Sequence, residues 1–207
     1  LKKMKFHGIA EPEFKKDPAP VLPVLENLKT DESEYVRRSV ANNLNDIAKD
    51  NPEITLAVCE AWYGISEDTD KLVKHACRTL LKQGDTRALK LFGYGAPENM
   101  ALKKFELLTP EVAIGGSLAF TFQLKNIAGT TQKVRLEYCV YYQKANGTLS
   151  GKVFKISEKS IDPEVIIDME RKQSFKLIST RKYHKGAHEI SIVINGEEKG
   201  RKGFVLV

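Results

Sequence analysis

The spacing of apolar residues changes once along the chain, near residue 100, and that change limits the fold more than any other feature. Up to about residue 96 apolar side chains recur at helical spacing; from Leu102 onward they alternate and are cut by turn residues. A chain with both periods cannot fold as a single kind of layer. The expected class is multidomain α + β, helices first and a sheet structure second. With 207 residues there is room for two modest domains, 1–96 and 100–207, joined through "GYGAPEN" at 93–99.

Five helical segments are expected, at 20–29, 34–49, 53–63, 69–82 and 86–92. Cap and breaker residues divide them: Asp31 and Ser33, Asn51–Pro52, Ser66 and Asp68, Gly84–Asp85. Aligning "EYVRRSVANNL" with "KLVKHACRTLL" pairs Val36 with Val73, Val40 with Cys77 and Leu44 with Leu81, a shift of 37 residues. A shorter helix followed by a longer one, repeated, is the plan of a HEAT-like solenoid. About two and a half units are visible where a solenoid needs about three. With the opening "LKKMKFHG", which has no initiator Met and no signal-peptide core, this suggests a fragment whose first repeats lie upstream.

Strands are expected at 102–108, 117–127, 132–143, 151–161, 172–179, 188–195 and 201–207. Turn signals separate them, among them Gly115–Gly116, Asn146–Gly147, Asp162–Pro163 and Asn195–Gly196. Seven short strands with frequent turns give an immunoglobulin-like β-sandwich, without the Cys–Trp–Cys signature of antibody domains.

Charge divides unevenly between the halves. Residues 1–98 hold 15 Lys and Arg against 16 Asp and Glu, a net of −1; residues 99–207 hold 18 against 11, a net of +7. A basic second half favours an anionic partner. No apolar run approaches the roughly 20 residues of a membrane span. Cys59, Cys77 and Cys139 are odd in number and form no C-x-x-C pair, which argues for a reducing cytoplasm and against a disulfide framework or zinc site. No metal-ligand spacing, nucleophile elbow or phosphate loop is present, and no cofactor is expected.

"VRRSVANNLNDIAK" at 36–49 is the unusual helix. Asn42, Asn43, Asn45 and Asp46 crowd its centre, although Asn and Asp compete with the helical backbone for hydrogen bonds. At about 100° per residue, Val36, Val40, Leu44 and Ile47 form the expected buried stripe, while Arg38, Asn42, Asn45 and Lys49 fall opposite. Asp46 and Ser39 flank that polar sector. The next repeat places His75, Thr79 and Lys82 at equivalent positions, with Lys74 and Arg78 nearby. If these helices line a concave wall, the wall carries a ladder of donors. A solvated helix face is polar by default, but Glu, Lys or Gln would serve that purpose at lower helix cost than Asn. Such a ladder suits a DNA backbone or, as in armadillo-type repeats, an extended peptide. Arg37 lies at the margin of the apolar stripe, where a salt bridge is expected, with Asp46 as one possible partner. Trp62 and Tyr63 read as core.

"DESEYVRRSVANNLNDIAKDNPE" followed by "KHACRTLLKQGDTRALKLFGYG" resembles the bacterial AlkC family of 3-methyladenine DNA glycosylases, relatives of AlkD. "DPAPVLPVLENLKTD" fits the same pattern, and the second half matches more loosely through "HKGAHEISIVINGEE". The resemblance implies HEAT-like repeats gripping duplex DNA with alkylated purines, an immunoglobulin-like C-terminal domain, and glycosidic-bond hydrolysis without a metal or redox cofactor. It implies a bacterial cytoplasmic protein associated with the nucleoid through DNA, expected as a monomer. In AlkD relatives the matching helix carries a tryptophan and an arginine at positions that fall on Asn42 and Asn45 here. That departure leaves hydrogen bonding rather than aromatic stacking at this site.

The candidate DNA contacts of the repeats are Arg38, Asn42, Asn45, Lys49, His75, Arg78, Thr79 and Lys82. Asp46 is the candidate catalytic acid, flanking the ladder, with the principal acids expected upstream. In the sandwich, loops near 126–131, 162–171 and 195–201 are expected at the end where the first strand begins, carrying Arg171, Lys172, Lys199 and Arg201. "RKYHK", with Arg181, Lys182 and Lys185, is expected at the opposite end beside Lys144 and Lys152. Two alternatives stay open: a non-enzymatic adaptor binding DNA or an extended peptide, and a DNA binder without catalysis.

Overall fold

In a computed structural model, residues 12–207 are described, so the opening "LKKMKFHG" lies outside the described residues. The chain divides into two compact units, the first ending at Phe92 and the second spanning Gly93–Val207.

The first unit is helical: α1 Pro12–Lys16, α2 Leu22–Leu28, α3 Glu34–Ile47, α4 Pro52–Trp62, α5 Glu67–Ala76, α6 Arg78–Gln83 and α7 Thr86–Leu91. Local chemistry sets the boundaries. Pro52 opens α4, where its missing N–H costs nothing. Ser66 caps α5 by accepting from the Thr69 N–H at 3.1 Å, and Asp85 caps α7 by accepting from the Ala88 N–H at 2.8 Å. Gly84 ends α6 at φ +75°, a left-handed conformation that favours glycine. α1 was not among the expected helices, and a 3-10 turn at Ala19–Val21 precedes α2.

The expected helix 69–82 is broken at Cys77 into α5 and α6. The repeat pairing nevertheless describes the packing. Val73, Cys77 and Leu81 are buried, as are Val40 and Leu44, while Val36 is half-buried. α3 also buries Ala41, Asn45 and Ala48 beside that stripe, because it packs against α2, α4 and α5 rather than one neighbour. Trp62 is buried and donates its indole N–H to Glu26 at 2.6 Å. Tyr63, expected in the core, is 38% exposed at the end of α4, its ring edge-on to Phe92 at 5.3 Å.

The second unit has eight strands: β1 Met100–Leu107, β2 Glu111–Val112, β3 Ser117–Asn126, β4 Gln132–Gln143, β5 Leu149–Ile161, β6 Ile166–Ser174, β7 Gly186–Ile194 and β8 Glu197–Leu206. They form a three-stranded sheet, β1-β3-β6, and a five-stranded sheet, β2-β8-β7-β4-β5. Pairing is antiparallel except for β2, which runs parallel to β8. The inward faces share a core that includes Phe120, Phe122, Leu136, Val140, Ile190, Ile192 and Phe204. Asn195 and Gly196 join β7 to β8 with φ +46° and +80°, the two left-handed residues of a type I′ hairpin turn.

Two strand expectations are corrected. The segment expected at 172–179 is β6, which runs from Ile166 to Ser174. Its edge position buries only Met169 and Gln173, so charged residues on the open face hid the alternation. β2 went unseen because two residues carry no period.

Candidate nucleic-acid interface

Asn42 and Asn45 of α3 face α5 and α6. Asn42 Oδ1 lies 3.0 Å from His75 Nε2, and Asn45 Oδ1 accepts from the Thr79 N–H at 3.2 Å and the Thr79 hydroxyl at 2.8 Å. Arg37 completes the seam with an ion pair to Asp68 at 2.9 Å, and it donates to the carbonyls of Asp31 and Glu32. The helix break at Cys77 explains one of these bonds. A new helix begins at Arg78, so the Thr79 N–H has no partner within α6, and Asn45 caps it from the neighbouring helix. The two helices are therefore cross-linked along a polar seam. Asn43 turns back to the Ser39 carbonyl of its own helix at 2.9 Å.

This placement corrects one site expectation. Asn45 was assigned to the solvent face; it is 1% exposed and its carbonyl oxygen is engaged, so it offers no surface to a DNA backbone. The physical reason is that α3 is buried on two adjacent stripes, and Asn45 lies on the second. Arg37 makes its expected salt bridge with Asp68, not with Asp46.

The remaining candidates sit around the seam. Arg38, Asp46, Lys49, Arg78 and Lys82 are exposed, and Asn42, His75 and Thr79 are half-buried. Arg38 pairs with Glu34 at 2.6 Å and Asp46 with Lys49 at 2.7 Å, both solvent-exposed pairs one helical turn apart. Pairs of this kind are worth about 0–1 kcal/mol, so either cation can exchange its partner for a phosphate at little cost. A cleft of about 430 Å³ lies between α3 and α5, lined by Arg37, Arg38, Asp68, Lys71, Leu72 and His75 among others. Burial, together with the nearby charges of Arg78 and Arg38, lowers the His75 pKa below its ordinary value of 6.5. His75 Nε2 lies 3.0 Å from Asn42 Oδ1 and 3.3 Å from Arg78 Nη1, so a neutral ring uses that one nitrogen either to donate to Asn42 or to accept from Arg78.

In the second unit several expected loop cations lie in strands. Arg171 and Lys172 belong to β6, opposite Phe120 and Ala119, and Lys199 and Arg201 belong to β8. Arg201 lies over the Tyr141 ring at 4.0 Å and pairs with Glu189 and Glu198, and Lys199 pairs with Glu197. These assignments to loops are corrected. Arg181 stacks on Tyr142 at 4.1 Å, whereas Lys182 and Lys185 are exposed in the β6–β7 loop, at the end opposite the start of β1.

Among the described residues no group of three His, Cys, Asp or Glu side chains could hold a metal, and no helix is long and apolar enough to cross a membrane. The three cysteines are buried free thiols. A hydrogen bond with Cys77 and burial push the Cys59 thiol far up, which makes it a poor nucleophile.

"Uncharacterized protein YhaZ" of Bacillus subtilis (strain 168) is 47% identical over 197 residues, covering 95% of this chain and 55% of that protein. Among solved structures, the Pseudomonas fluorescens alkylpurine DNA glycosylase AlkC, bound to DNA containing an abasic-site analogue, superposes with a TM-score of 0.90 at 36% identity. That match covers 94% of this chain and 54% of AlkC. The chain thus spans about half the length of the relatives it matches. The family model described as "Uncharacterised protein YhaZ, C-terminal Ig-like domain" matches residues 101–207, the whole of the sandwich from β1 onward, and the chain belongs to that YhaZ family.

Proposed function

We propose that this chain binds duplex DNA and takes part in hydrolysing the N-glycosidic bond of cationic N-alkylpurines such as 3-methyladenine. The observation that carries this reading is the likeness to AlkC, which extends over 94% of the chain and was captured on DNA with an abasic-site analogue. Exposed Arg38 on α3, Lys49 just past its end, and Arg78 and Lys82 on α6 supply phosphate contacts, with His75 beside Arg78.

Alkylation puts a positive charge on the base, so the leaving group needs no protonation. When the C1′–N bond breaks, its electron pair neutralises the base and leaves an oxocarbenium sugar. Water adds at C1′ and gives up a proton. A carboxylate beside the sugar stabilises the cation and accepts that proton. Asp46 is the candidate in this chain, in the last turn of α3 and paired with Lys49 at 2.7 Å.

The rival reading, an adaptor for an extended peptide, needs asparagine amides directed at a ligand. Asn45 is instead engaged with Thr79. Salt separates the readings. Duplex DNA binding is expected to weaken linearly in log K against log salt, with a slope of about −0.9 per phosphate contacted. Affinity for duplex DNA that does not change with salt overturns the proposal.

A further inference from the structure

The β6–β7 loop displays an arrangement that the sequence pattern did not suggest. From Phe175 to His188 the chain reads "FKLISTRKYHKGAH", with four cations and no acid. Leu177 is 77% exposed and Ile178 50% exposed, although small polar residues are the usual occupants of such a tip. The tip is a tight turn closed by the Arg181 N–H donating to the Ile178 carbonyl at 3.3 Å.

The base of the loop is firmly held. Phe175 is fully buried and exchanges backbone bonds with Gly115 and Gly116 at 3.0 and 2.8 Å. Its ring packs against Tyr183 at 5.3 Å and Phe204 at 5.6 Å. His188, 1% exposed, accepts the Gln143 N–H on Nδ1 at 3.2 Å, which assigns the proton to Nε2; that N–H donates to the His184 carbonyl at 2.9 Å. Two large aliphatic side chains thus project from an anchored pedestal, flanked by Lys176, Lys182 and Lys185.

We propose that this loop is a DNA-contacting tip: Leu177 and Ile178 press into the minor groove of a duplex while Lys176, Lys182 and Lys185 meet phosphates on either side. Proteins that read the minor groove commonly combine such an apolar wedge with flanking cations. The charge pattern fits an anionic partner, and the apolar area is too small for a membrane. Two aliphatic side chains carry less apolar surface than one acyl chain, which by itself gives only marginal membrane attachment. The inference rests on the DNA reading above.

The test compares the 207-residue protein with Leu177→Ser/Ile178→Ser and Lys182→Ala/Lys185→Ala variants, by fluorescence anisotropy on a labelled duplex across a salt series. All substituted side chains are exposed, and near-UV circular dichroism confirms the fold. The apolar double variant is expected to bind about tenfold more weakly with an unchanged salt slope. The lysine double variant is expected to reduce the slope by roughly 1.8. An apolar variant that binds DNA like the parent overturns the wedge and leaves the DNA reading standing. Loss confined to phosphatidylglycerol vesicles also overturns it. A parent protein that does not bind DNA overturns both.

Discussion

Replacing Asn45 by alanine separates the two roles that an asparagine-rich helix can have. On helix propensity alone, Asn45→Ala should stabilise α3 by roughly 0.5 kcal/mol. The structure gives the opposite sign. The Asn45 side chain is buried and accepts two hydrogen bonds from Thr79, one of them capping the first turn of α6. Two such bonds contribute about 2–3 kcal/mol when their loss leaves donors buried. Set against the propensity gain, the net cost is ~2 kcal/mol, a fall of roughly 4–8 °C in the midpoint of the 222 nm circular dichroism melt for a chain of this length. Asn42→Ala is the control: half-buried, with one bond to His75, it should change stability by less than about 1 kcal/mol. A double-mutant cycle with Thr79→Ala should return a coupling of ~1 kcal/mol or more. If Asn45→Ala is neutral or more stable than the parent, the seam does not hold α3 to α6 and the reasoning fails.

The other predictions concern separate features. His75 is disfavoured as a cation in the folded state, so the unfolded chain binds the extra proton first and stability falls as pH drops below 6.5. Urea titrations at pH 7.5 and 5.5 should show that loss, and His75→Gln should reduce it. Arg135 and Glu137 are a buried ion pair at 2.6 Å, with Glu158 on the other side of the guanidinium at 2.7 Å. Arg135→Ala should destabilise the sandwich by about 3–5 kcal/mol, because it leaves the Glu137 charge buried, whereas Arg135→Met with Glu137→Leu should be close to neutral in the same denaturation assay. Asp46→Asn should slow base release from alkylated DNA without changing the melting temperature, since its partner Lys49 is exposed; unchanged release removes Asp46 from the chemistry.

Much of the fold was legible because periodicity is a strong signal where elements are long. The 37-residue pairing found the residues that pack α3 and α5, and the Asn195–Gly196 pair marked its hairpin. What failed has physical causes. Helical-wheel reasoning assumes one buried face, and α3 has two, so Asn45 was put in solvent. The break at Cys77 leaves no mark in composition, yet it creates the unpaired N–H that Asn45 caps. β6 is an edge strand whose charged open face hid its period, which moved Arg171 and Lys172 from a loop into a strand. Leu177 and Ile178 read as strand residues, although the "RKYHK" cluster that follows them marked a basic end of the sandwich.

The glycosylase reading is tested most directly by incubating the protein with N-methylated duplex DNA and separating the released bases by chromatography. 3-Methyladenine is expected above the spontaneous background, with an equal yield of abasic sites. Intact protein that binds the duplex yet releases no base contradicts the chemistry proposed for this chain.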